Sequence, residues 1–165
     1  VNLEQLAARA EIQDLLLRYC RGIDRADVDL VRSVYHPGAT DDHGVFSGDA
    51  AEFAAFVIPV LTAEYTVTQH QLHNMLIEID GDSAGSETYF TAYHRERNPP
   101  GTKRMVVFGG RYLDRLERRD GRWGIVERVV AHDWSDAYDL ELYPVIDSFA
   151  QGTQGTDDPS ARLFR

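Results

Sequence analysis

The segment of residues 65–80, which contains TVTQHQLHNMLIEID, limits the fold more than any other part of the chain. It is rich in Val, Thr, Ile and Leu, and neither Pro nor Gly interrupts it before the Asp80-Gly81 turn, so it predicts a long central strand of a curved sheet. With a side-chain period of two, His70, Leu72, Asn74 and Leu76 share one face, and Gln71, His73, Met75 and Ile77 share the other. A β-bulge within the strand would exchange the two faces. If the His70 face lines a cavity closed by the N-terminal helix, His70 is the natural acid–base group of that cavity.

After this strand the chain reads as a meander. Residues 86–95, 105–116 and 123–134 are strand-like, and Asp80-Gly81, the 98–101 segment NPPG and Asp120-Gly121 supply the turns. Gly109-Gly110 inside an apolar run marks a bulge or sharp bend, which a sheet curling into a half-barrel requires. Before the meander the period is helical. Asn2 and Gln5 form a capping-box pattern, and Leu3, Leu6, Ile12, Leu15, Leu16, Tyr19 and Ile23 recur at three- and four-residue spacing. Asp27 caps a second helix carrying Leu30, Val31, Val34 and Tyr35, which Pro37-Gly38 ends, so Asp24 is left at the rim of the first helix without a capping task. Residues 39–47 predict a short polar strand pair. Asp49 caps a third helix with Phe53, Phe56, Val57, Val60 and Leu61, where Pro59 predicts a kink or an early end.

The expected class is therefore α+β, a cone-shaped antiparallel half-barrel wrapped around three N-terminal helices. One domain spans 1–139, followed by a partly flexible extension, 140–165, in which 151–159 (QGTQGTDDP) is a flexible tail. Net charge of −10 argues against nucleic-acid and anionic-membrane partners and leaves a small molecule as the expected one. The single cysteine, Cys20, cannot form an internal disulfide, and no apolar run is long enough for a membrane span, so a cytoplasmic chain is expected. Asp41, Asp42 and His43 are adjacent, but neighbouring residues of an extended chain point to opposite faces, so no metal site is expected. Glycine-rich phosphate loops, Cys–His metal spacing and a Ser nucleophile elbow are missing from the sequence, and the expectation is chemistry without a cofactor.

Three helices ahead of a bent four-stranded meander resemble the nuclear-transport-factor-2-like fold. The motifs LAARAEIQDLLLRYCRGIDRAD, TQHQLHNMLIEIDGD and FGGRYLDRLERRDGRWGIVERV resemble its SnoaL-like branch, most of all the scytalone dehydratase and hexachlorocyclohexane dehydrochlorinase members. The resemblance implies that Asp24, at the end of the first helix, orients His70 as a base, and that Arg128 in the last strand is the third catalytic residue, holding an oxyanion, halide or enolate. It implies a cofactor-free lyase (dehydratase or dehydrohalogenase-like) or isomerase for a small, cyclic, mostly apolar substrate. The alternatives are a non-catalytic binding or assembly module and a polyketide-cyclase-like enzyme. On residues alone, a buried His–Asp pair that merely ties helix to sheet is the favoured reading, and the resemblance reverses that preference.

Tyr19, Tyr35, Phe56, Phe90 and Phe108, with Asn74 and His132, are the candidate substrate-binding residues of an aromatic-lined cavity. His94, near a strand end, is expected to be exposed. The face opposite His70 carries His73, Met75, Ile77, Ile79, Met105 and Val107, more apolar surface than a lone sheet exposes, so a dimer or trimer is expected unless residues 140–149 fold back over it.

Overall fold

The computed structural model describes residues 2–97, 103–141, 144, 146 and 148–163. The expected turn at 98–101, and part of 140–149, lie outside them. Helix α1 (Leu3–Asp24) opens with the full capping box: the Gln5 amide donates to Asn2 Oδ1 at 2.8 Å, and the Asn2 amide donates to Gln5 Oε1 at 3.1 Å. Ala8, Ile12, Leu15, Leu16, Tyr19 and Ile23 form its buried stripe, whereas Leu3 and Leu6 in its first turns stay exposed. Each fully buried Leu or Ile contributes about 1.5–3 kcal/mol, so this stripe rather than helix propensity fixes α1 on the sheet.

Helix α2 (Val28–Ser33) is capped by Asp27, whose Oδ1 accepts from the Leu30 amide at 2.9 Å. It ends before Tyr35, earlier than the apolar spacing predicts. The residue before Pro37 is driven out of the helical region, and Val34 O takes the Ile125 amide at 2.9 Å, which draws the chain into the sheet. Strand β1 (Tyr35–Asp42) and the short β2 (Ser47–Asp49) follow, then α3 (Ala50–Glu64), capped by Asp49. Pro59 does not stop α3: the Ala55 carbonyl that it deprives of a partner lies on the exposed side of the helix.

The four long strands are β3 (Tyr65–Asp80), β4 (Ser83–Glu96), β5 (Arg104–Arg119) and β6 (Arg122–Asp139). With β1 and β2 they form one curved, unclosed sheet in the order β2-β1-β6-β5-β4-β3, antiparallel throughout except where β1 runs parallel to β6. Two bulges bend it. One lies at Gly109/Gly110, as the glycine pair predicts: a Cβ on Gly110 would meet the Ala131 carbonyl oxygen at 2.4 Å. The other lies in β3 between Leu72 and Met75 and corrects the simple alternation. Thr68, His70 and Leu72 face the helices before it; Met75, Ile77 and Ile79 face them after it, and Ile77 is 2% exposed. Asn74 and Leu76 consequently face outward and are exposed.

The outer face is therefore less apolar in β3 than the alternation predicts, although Leu76, Tyr89, Val129, Trp134 and Tyr138 remain exposed. Residues 151–159, expected as a flexible tail, and the short 3₁₀ turn that follows, Pro159–Leu163, have defined partners at the C-terminal end of α1.

Gly22 sets how closely α2 meets that end of α1, because a Cβ there would lie 2.7 Å from Val31 Cγ2 and 2.9 Å from the Val31 amide nitrogen. Gly22→Ala is expected to lower unfolding free energy by about 1–3 kcal/mol through forced separation of the two helices, measured by urea denaturation.

Candidate active site

Asp24 is the last residue of α1, and its side chain is turned toward β3. Oδ1 accepts from His70 Nδ1 at 2.7 Å and Oδ2 accepts from the His70 backbone amide at 2.8 Å. One carboxylate thus grips one residue at two points, fixing both the strand and the ring. Both side chains are nearly buried, at 11% exposure for Asp24 and 9% for His70. With its Nδ1 proton donated to Asp24, the neutral imidazole presents Nε2 as a lone pair, and that atom has no hydrogen-bond partner among the described residues.

His94 is the residue that sequence reasoning missed. Expected near a strand end and exposed, it is 5% exposed, because its row of the sheet (Thr68, His94, Val106) faces the interior. Its ring lies edge-on to His70 at 5.5 Å between centroids and edge-on to Phe108 at 5.3 Å, with Tyr65 at 4.8 Å. Burial, helped by the charge His70 can carry, lowers the His94 pKa to about 4, and its Nδ1 is buried without a partner. His94 is accordingly neutral at physiological pH and adds no second positive charge beside His70. The period-two alternation of β4 was the signal that could have found it.

Arg128 lies on β6 opposite Asp114 of β5, 1% exposed, with Nε and Nη2 donating to the two Asp114 oxygens at 2.7 and 2.8 Å. Its guanidinium carbon sits 4.1 Å from the Tyr19 ring centroid and 4.3 Å from that of Tyr112, so the cation lies against both phenol rings, which meet each other edge to face. Nη1 is buried without a partner. Tyr19 and Tyr35 line the same depth but are committed to other groups: Tyr19 Oη meets His43 Nε2 at 3.1 Å, His43 Nδ1 is bonded to Asp41, and Tyr35 Oη donates to Asp41 at 2.6 Å. Burial raises the pKa of both tyrosines, which stay phenols. Asp41 and His43, set aside as metal ligands, instead form this internal network, and among the described residues no three His, Cys, Asp or Glu groups converge as a metal site.

The remaining candidates divide. Phe90 is buried and stacks on Tyr112 at 4.3 Å, and Phe108 joins His94 on the interior face. Asn74 is turned outward by the β3 bulge. Phe56 is 42% exposed and stacks on Phe46, while its neighbour Phe53 takes the interior position against His43. His132 is exposed, 6.5 Å from Phe108. His73 lies on the outer side, bonded to Thr91 at 2.8 Å. Cys20 is buried and its thiol is pushed up to about 12. A cleft of about 580 Å³ beside Arg32, His36 and Arg122 involves neither Asp24 nor His70.

The His94 pKa yields a pH dependence with a definite sign. Between its ordinary value of 6.5 and about 4, the unfolded chain binds a proton at this position that the folded chain refuses. Stability from this group is therefore fully present above 6.5 and falls as pH drops toward 4. His94→Phe is expected to flatten that part of the stability-against-pH curve, measured by chemical denaturation at stepped pH.

Comparisons with known proteins bear on the fold and the family. Residues 4–129 match the family model described as SnoaL-like domain. An uncharacterized protein of Mycobacterium tuberculosis H37Rv is 29% identical over 136 residues, covering 78% of this chain and 88% of its own length. Among solved structures, a type 2 hexachlorocyclohexane dehydrochlorinase superimposes with a TM-score of 0.77 at 20% identity, covering 90% of this chain and all of its own. A scytalone dehydratase-like protein of Novosphingobium aromaticivorans superimposes with a TM-score of 0.72 at 15% identity, covering 83% of this chain and 91% of its own. The fold is that of the nuclear-transport-factor-2-like cone, and the chain belongs to the SnoaL-like domain family.

Proposed function

We propose that the chain is a cofactor-free lyase or isomerase that removes a proton beside a carbonyl or leaving group of a small cyclic substrate. The observation that carries the proposal is the two-point hold of Asp24 on His70, which leaves Nε2 as an oriented base in a nearly buried position. His70 Nε2 takes the proton from carbon. The C–H electron pair then forms a double bond as hydroxide or halide leaves the neighbouring carbon, or it is delocalised onto a carbonyl and reprotonated at another carbon. Asp24 stabilises the imidazolium produced, as a triad carboxylate does. The near-exclusion of water from the pair, with the His70 side chain 9% exposed, strengthens that coupling.

Arg128 enters the proposal through Nη1, the N–H left unpaired by Asp114, as the donor available to an anionic oxygen or halide. Phe90, Phe108 and Leu72 supply apolar contact on the His70 side. The superposable dehydrochlorinase and dehydratase-like structures support this reaction class by fold.

The test is a turnover screen of the purified chain against cyclic hydroxy-ketones and halogenated rings, with His70→Ala alongside. The expected result is turnover that falls about 10²–10⁴-fold in His70→Ala, the size of a general-base contribution. Full turnover in that variant ends the assignment; binding without turnover by either form favours the binding-module reading.

We also propose self-association through the outer sheet face, where Leu76, Tyr89, Val129, Trp134 and Tyr138 are exposed. Light scattering at micromolar concentration is expected to give a dimer or trimer mass, and a monomer mass refutes it.

A further inference from the structure

The C-terminal turn holds the residue that follows Asp24. Arg25 is the C-cap of α1, and its carbonyl accepts from the Gly155 amide at 2.7 Å. Its Nη1 donates to Thr153 O at 2.7 Å and to Asp158 Oδ2 at 2.9 Å. One turn earlier on the same helix, Arg21 Nη1 donates to Ser160 Oγ at 3.0 Å. Asp158, 8% exposed, organises the turn from inside: it accepts from the amides of Thr153 and Ser160 at 2.9 Å each and from the Ser160 hydroxyl.

We propose that this turn is a built part of the Asp24–His70 site, and that Asp158, acting through Arg25, is a positioning residue for the Asp24 carboxylate.

Hydrophobic burial cannot account for the docking, since residues 151–157 (QGTQGTD) contain no apolar side chain. Directional polar contacts hold the segment, and the ones it makes with α1 converge on Arg21 and Arg25, which flank Asp24 within a single helical turn. The conformation is specified too. Gly155, which donates the amide to Arg25 O, has φ +81°, a left-handed geometry that a side chain would strain. Hydrogen bonds from Ser160 and Thr153, with Arg25 beside it, hold the Asp158 carboxyl well below the usual carboxylate range, so the ion pair persists at physiological pH.

On its other side the end of α1 is set by the Gly22–Val31 contact and by the Asp27 amide bonded to Gly22 O at 2.8 Å. Arg25 is thus held from outside while Asp24 reaches inward. The pair being positioned has little tolerance: Asp24 must meet an amide and a ring nitrogen at once, and a misplacement of about 1 Å at a reacting group costs about 10²-fold in rate. The catalytic consequence rests on the reading of His70 as base; the positional claim does not.

The experiment uses the full chain with Asp158→Ala, Asp158→Asn and, as control, Asp157→Ala at the exposed neighbouring position. Two NMR signals report on the pair directly: exchange of the His70 backbone amide, which donates to Asp24 Oδ2, and the His70 Nδ1–H resonance, which reports the bond to Oδ1. Expected is an about tenfold faster His70 amide exchange in Asp158→Ala, a shifted or broadened Nδ1–H signal, and unchanged core amides such as that of Tyr112. Asp158→Asn, which keeps an acceptor oxygen but not the charge, is expected to show a smaller change, and Asp157→Ala none.

Where a substrate is in hand, kcat falls about tenfold with KM nearly unchanged. Unaltered His70 signals in both Asp158 variants overturn the proposal, as does acceleration of core amides equal to that of His70, which would mark general loosening. If Asp158→Ala does not fold, the Asn variant decides. Altered His70 signals in a chain that turns nothing over support the positioning claim and remove only the catalytic one.

Discussion

A fully buried arginine at the deep end of the cone is the constraint to which the other interior groups are fitted. Removing a guanidinium from water costs several kcal/mol, and that cost is offset only if its charge and its N–H groups are met inside. Asp114 meets two of them across the β5–β6 pair, and the Tyr19 and Tyr112 rings both pack against the cation. Burial alone would disfavour the charged form, yet Asp114 and the surrounding phenols keep the Arg128 pKa well above its ordinary value. Tyr19 then needs a partner for its hydroxyl and finds His43, which needs Asp41, which in turn takes Tyr35. One charge in the core thereby dictates a polar chain linking α1, β1, β5, β6 and the β1–β2 loop.

The two His–Asp pairs differ in a way that bears on function. In the Asp41–His43 pair both ring nitrogens are engaged, one by Asp41 and one by Tyr19, and Phe53 stacks on the ring at 4.2 Å. That imidazole has no lone pair left for a ligand. In the Asp24–His70 pair only Nδ1 is engaged among the described residues. Both pairs join separate elements and both are shielded from water, so burial and ion pairing alone do not tell structural from reactive histidines. The unengaged nitrogen sets the Asp24–His70 pair apart from the Asp41–His43 pair and supports the proposed base.

Much of the architecture was legible in the residues because it rests on local signals. The capping box at Asn2, the caps Asp27 and Asp49, the turns at Asp80-Gly81 and Asp120-Gly121 and the bend at Gly109-Gly110 each have a short-range cause, and each stands where its sequence puts it. The Asp24–His70 proximity was legible through resemblance, since no local rule connects residues 46 positions apart. Three features were hidden. The strand β1 is parallel to β6 and owes its place to a partner far along the chain. The docking of the C-terminal turn involves no apolar residue and so leaves no hydrophobic pattern to read. The β3 bulge involves Leu, His, Asn and Met rather than glycine, so its sequence does not announce it.

That bulge also reconciles the two tasks of β3. Under strict alternation, a strand with His70 inward would also bring Asn74 and Leu76 inward and would turn Met75, Ile77 and Ile79 to the outside. The core would lose a side chain as deeply buried as Ile77 and gain an amide needing hydrogen bonds. Reversing the face would restore Ile77 and expel His70 from Asp24. Placing one extra residue after Leu72 lets the first half of the strand present the base and the second half present the core, with His73 and Asn74 left to the solvent side. His70 and Ile77 are seven apart, an odd separation, and a single strand can bury both only if its pleat is broken between them.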